Sequence, residues 1–62
     1  MADKNQWWGY LHTNGNVEVK RFFDQQDIVE ANMSDFVEYT FGPFDADSRE
    51  EAIAITTKAL KP

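Results

Sequence analysis

Two β-rich runs, Gln6–His12 and Val17–Phe23, flank the short polar break Thr13-Asn14-Gly15-Asn16. Such runs on either side of a turn signal predict a β-hairpin. Asn-Gly tolerates positive φ at two successive residues, as a two-residue type I′ turn requires. That turn would set the register. His12 would face Val17, Tyr10 would face Val19, and Trp8 would face Arg21 on one side of the sheet. On the other side, Leu11 would face Glu18, Gly9 would face Lys20, and Trp7 would face Phe22. The first side, with Tyr10, Val17 and Val19, reads as the core side.

Asp24-Gln25-Gln26-Asp27 then opens a short helical segment over about residues 25–33. Asp24 can cap the first-turn amides, and Asp27 adds an acid near the positive end of the helix dipole. Ile28, Val29 and Met33 can share a face, although a helix this short depends on tertiary packing. Phe36–Phe41 is rich in aromatic and β-branched residues and predicts a third strand, with Gly42-Pro43 as its stop. Ser48-Arg49-Glu50-Glu51 matches a capping box, in which the Ser48 hydroxyl accepts from the Glu51 amide. The helix it opens gathers Ala52, Ile53, Ile55, Thr56, Ala59 and Leu60 on one stripe, with Lys58 and Lys61 near its negative end. The order β-β-α-β-α predicts an α+β domain: a three-stranded antiparallel sheet packed on the C-terminal helix.

Composition narrows the functional classes. At 62 residues the chain is expected to be one domain, with residues 1–5 disordered. Its 42% hydrophobic and 15% aromatic content suits a folded core. Domains this small bury only about 60% of their extended-chain surface and are marginal without help. Without cysteine, that help is neither a disulfide nor a thiolate metal site. No apolar run resembles a signal-peptide core or a membrane span, so a cytoplasmic protein is expected, with no membrane partner.

Candidate chemistry is sparse. His12 is the only histidine, and the spacing places neither Ser34 nor Ser48 near it for a hydrolase triad. We read it as a structural residue at the strand end. The paired acids Asp24/Asp27, Asp45/Asp47 and Glu50/Glu51 are explained by helix starts and turns. Asp45-Ala46-Asp47-Ser48 lacks the glycine and distal glutamate of a calcium loop. Gly9, Gly15 and Gly42 form no phosphate-binding loop. Neither catalysis nor a cofactor or metal is expected.

Lys20-Arg21 lies among Trp7, Trp8, Tyr10, Phe22 and Phe23, a mixture that could hold single-stranded nucleic acid. The net charge of −5 opposes that reading, and the two cations point to opposite faces of the strand. Arg21 opposite Trp8 is more simply a cross-strand cation–π pair.

The outer sheet face would carry Trp7, Leu11 and Phe22 with Lys20 and Glu18 between them, joined by Phe36 from the third strand. An apolar patch of this kind marks a binding surface unless the short helix or the N-terminal segment folds over it. Trp7, Leu11, Lys20, Phe22 and Phe36 are therefore the expected interface residues of a homodimer or of a complex with a small protein partner. The alternatives are an acidic inhibitor of a nucleic-acid-processing enzyme, with carboxylates standing in for phosphates, and a weak single-strand binder.

The hairpin, the Phe41-Gly42-Pro43-Phe44 segment and the Ser48-Arg49-Glu50-Glu51-Ala52 helix start together resemble small bacterial and phage proteins with no assigned activity. The likeness runs from Trp7 to about Ala59 and implies a prokaryotic or viral intracellular origin. Its motifs are a turn, a strand stop and a cap, so no functional residue is carried over.

Overall fold

A computed structural model describes residues 5–61. Its elements are β1 (Gln6–His12), β2 (Val17–Arg21), α1 (Gln25–Asn32), β3 (Val37–Asp45) and α2 (Arg49–Leu60). The strands form one antiparallel sheet in the order β2-β1-β3, so β1 is central and each neighbour has a free edge. The fold is the α+β arrangement expected from the sequence, with α2 packed across one sheet face. Of the expected disorder over residues 1–5, residues 1–4 lie outside the described residues, and the Asn5 carbonyl accepts from the Ala46 amide at 2.8 Å.

The hairpin corrects the expected register by one residue. The His12 amide donates to the Asn16 carbonyl at 2.8 Å, and the Gly15 amide donates back to the His12 carbonyl at 2.9 Å. The loop therefore has three residues, Thr13, Asn14 and Gly15. Gly15 takes φ 94°, whereas no described non-glycine residue has positive φ. Asn14 thus cannot serve a type I′ turn. The geometry is that of a tight turn closed by a left-handed glycine, the three-residue hairpin solution. Two further bonds hold it: His12 Nδ1 accepts from the Asn14 amide, and Asn14 Oδ1 accepts from the Asn16 amide.

Trp7 consequently faces Arg21 rather than Phe22, Trp8 faces Lys20, Tyr10 faces Glu18 and Leu11 faces Val17. The cation–π contact expected at Trp8 forms at Trp7 instead, with the Arg21 guanidinium 4.9 Å from the ring centroid. Because strand side chains alternate, a slip of one residue exchanges the two faces. Trp7, Gly9 and Leu11 are the residues that look toward α2.

The α2 side holds the main core. Trp7 and Val19 pack with Ala46 and Ala52, supported by Phe44, Ile53 and Ile55. The Trp7 indole N–H donates to the Ala46 carbonyl at 3.1 Å across 39 residues of sequence, so this core ring is hydrogen-bonded as well as buried. Thr56 is fully buried over Gly9. A Cβ on Gly9 would lie 2.6 Å from Thr56 Cγ2, so glycine is what lets the helix approach β1 so closely. Ser48 caps α2 as expected, its Oγ accepting from the Glu51 amide at 3.2 Å. Of the expected apolar stripe, Ala59 is exposed.

β3 also departs from expectation. It does not stop at Gly42-Pro43 but continues to Asp45. Trp7 pairs with Phe44 and Gly9 with Phe41, so Gly42 and Pro43 together oppose the single residue Trp8. This bulge absorbs the proline, whose missing N–H is tolerable on an edge strand. Gly42 has φ 131°, and a Cβ there would come within 2.9 Å of Trp8 Cα.

Candidate binding surface

The face away from α2 carries Trp8 and Tyr10 of β1, with Lys20 of β2 beside them. Asp24 caps α1, its Oδ1 accepting from the Gln26 amide at 2.9 Å. Ile28 is the one buried residue of α1, and Asn32 Oδ1 accepts from Thr40 Oγ1 at 3.0 Å, tying the helix to β3. α1 thus covers the β3 side of this face and leaves the β2 side open. The short helix does fold over the outer face, as one expectation held, but the residues beneath differ from those expected.

Between α1 and β2 lies an open groove of about 510 Å³, inside the range of ligand-sized clefts. Trp8 and Tyr10 line it, their ring centroids 5.7 Å apart. Lys20 and Arg21 stand on the β2 side, Asp27 and Glu30 on the α1 side, with Phe23 also lining it. Trp8 is only 3% exposed, and its indole N–H has no hydrogen-bond partner among the described residues. Such a group costs about 1–3 kcal/mol when it stays buried and unpaired.

The expected interface residues are dispersed by the register change. Trp7, at 7% exposure, and Leu11 lie inside the chain's own core beneath α2. Phe22 is half-buried just beyond β2, with its amide donating to the Gln6 carbonyl. Lys20 is exposed beside the groove. Phe36 is 66% exposed immediately before β3, stacked on His12 with the centroids 6.0 Å apart. His12 is thus held by the turn on one side and by Phe36 on the other.

Sequence reasoning missed where the exposed apolar residues gather. The large exposed ones are Phe23, Val29, Met33, Phe36 and Tyr39, all within one stretch of 17 residues. Phe23 is 72% and Met33 78% exposed. Val29 and Met33, four apart, ride one outward stripe at α1. The stretch from Phe22 to Ser48 also contains seven acids and no Lys, Arg or His. That run of one sign was legible in the sequence, but overall net charge conceals it.

Among the described residues no cluster of His, Cys, Asp or Glu could hold a metal ion, and no helix is long and apolar enough to cross a membrane. Comparison with protein-family models, curated proteins and solved structures finds no match for the chain.

Proposed function

We propose that the chain is a cytoplasmic, non-catalytic interaction module that binds a basic, apolar protein surface through the α1 layer. The observation that carries this reading is the coincidence of the exposed apolar side chains with the base-free acidic stretch. Phe23, Val29, Met33 and Phe36 supply the apolar contact, and Asp24, Asp27, Glu30 and Asp35 supply the charge around it. Exposed apolar residues rimmed by charge are the usual composition of a recognition patch. Its complement is a partner whose apolar residues are flanked by Lys and Arg.

Charge also separates this reading from its rivals. Two copies meeting symmetrically through the α1 layer would bring acids against acids, which is unfavourable. A phosphate-mimicking inhibitor accounts for the acids but leaves the exposed Phe23, Met33 and Phe36 without a role. Single-stranded nucleic acid would be repelled by the same carboxylates.

Fluorescence titration with a synthetic amphipathic peptide of Leu and Lys, and with its Leu/Glu counterpart, tests the proposal. The cationic peptide is expected to bind with an affinity that falls as salt rises, and the anionic one is expected not to bind. Met33→Ser combined with Phe36→Ser should weaken the cationic complex about tenfold or more, as loss of apolar anchors does. Equal binding of both peptides, or an unaffected double variant, would overturn the reading.

A further inference from the structure

The β2 edge is open and self-complementary. The Asn16 carbonyl accepts from His12 and the Phe22 amide donates to Gln6, so the backbone groups of even-numbered residues in this strand point toward β1. By strand alternation, those of Val17 and Val19 point away from the sheet, along an edge that no other strand occupies. The side chains flanking Val19 are Glu18 and Lys20, both exposed and both on the face away from α2.

We infer that β2 pairs antiparallel with β2 of a second copy, about a two-fold axis through Val19, to make a continuous six-stranded sheet. In this register Val19 of each copy exchanges both backbone hydrogen bonds with the other. Glu18 of each copy then stands directly opposite Lys20 of the other. Both charge pairs are attractive, and neither requires a side chain to leave its strand position. No other antiparallel register satisfies the outward backbone at Val19 and both charge pairs together.

The layers leave room for this pairing. α1 is tied to β3, on the far side of β1 from the open edge. α2 reaches the hairpin at its tip, where Lys61 Nζ donates to the Gly15 carbonyl at 2.8 Å, clear of Val19. β3 is the poorer edge. Its ladder is broken at two places, and Pro43 lacks an amide to donate.

This inference is independent of the partner reading, because it uses the β2 edge and not the α1 layer. Sedimentation equilibrium on the full chain tests it. The short strand implies a weak dimer, so the series should run to about 1 mM, the weak end of specific association. The expected mass tends to twice the 7.2 kDa of one chain. Lys20→Glu and Glu18→Lys each place like charges opposite one another twice, and each should raise the dimer Kd about tenfold or more. The combined E18K/K20E variant restores both attractions in reversed order and should recover wild-type association. Met33→Ser with Phe36→Ser should leave it unchanged. A monomer throughout the series, single variants that dimerise normally, or a dimer abolished by the Met33/Phe36 changes would each overturn the assignment.

Discussion

Replacing Gly9 by Ala tests the approach of α2 to the central strand. An ideal Cβ at this position lies 2.6 Å from Thr56 Cγ2 and 2.7 Å from Thr56 Oγ1, well inside contact distance. Thr56 has no exposed surface, so neither atom can swing into solvent and the helix must move instead. Overpacking of this kind costs about 1–3 kcal/mol. Lower freedom of the unfolded chain offsets about 0.4–1 kcal/mol of that. The net loss, about 1–2 kcal/mol, corresponds to a fall in Tm of about 5–15 °C for a domain of this size. Thr56→Ala removes both clashing atoms together with a buried hydroxyl that has no hydrogen-bond partner among the described residues. In the Gly9→Ala background it should therefore restore stability, with a coupling of about 1 kcal/mol or more in a double-mutant cycle. Thermal melts by circular dichroism on the four proteins give the cycle directly. Strictly additive effects, or a Gly9→Ala variant that melts above wild type, would refute the close approach.

Three other outcomes follow from the same packing. Trp7→Phe loses the hydrogen bond to the Ala46 carbonyl, whereas Trp8→Phe removes an unpaired buried N–H; urea unfolding should find Trp7→Phe the less stable by about 1 kcal/mol or more. Gly15→Ala forces a side chain onto φ 94° and should cost about 1–2 kcal/mol, read by the same method, although nothing crowds the position. Ser48→Ala should lower stability by about 1 kcal/mol in thermal melts through loss of the bond to the Glu51 amide.

The elements themselves were legible: β1, the Asp24 cap, the Ser48 cap and the α+β order follow from local patterns that tertiary packing did not override. The faces were not legible. Thr13-Asn14-Gly15 suits a two-residue turn with positive φ at Asn14 and Gly15, and equally a three-residue loop with positive φ at Gly15 alone. The difference is one residue, and one residue exchanges Trp7 with Trp8. Adjacent tryptophans offered no polarity contrast to choose between the two, since both are buried, one beneath α2 and the other beside the α1 groove. The continuation of β3 through Gly42-Pro43 was hidden for a different reason. Proline ends a ladder only where its amide is needed, and whether it is needed depends on strand order, which local sequence does not carry.

The two irregularities of β3 bear on how large an assembly the chain can build. A molecule with two regular sheet edges behaves as a bifunctional monomer: each addition leaves a reactive end, and growth runs on to fibres. Here the double register break and Pro43 disable one edge, so the chain is monofunctional in strand pairing. Any association through β2 terminates after a single step, because the newly joined edge is consumed and the outer edges are both β3. Removing the bulge, by deleting one residue of Gly42-Pro43 and replacing the other with a β-former, would convert a chain terminator into a chain propagator.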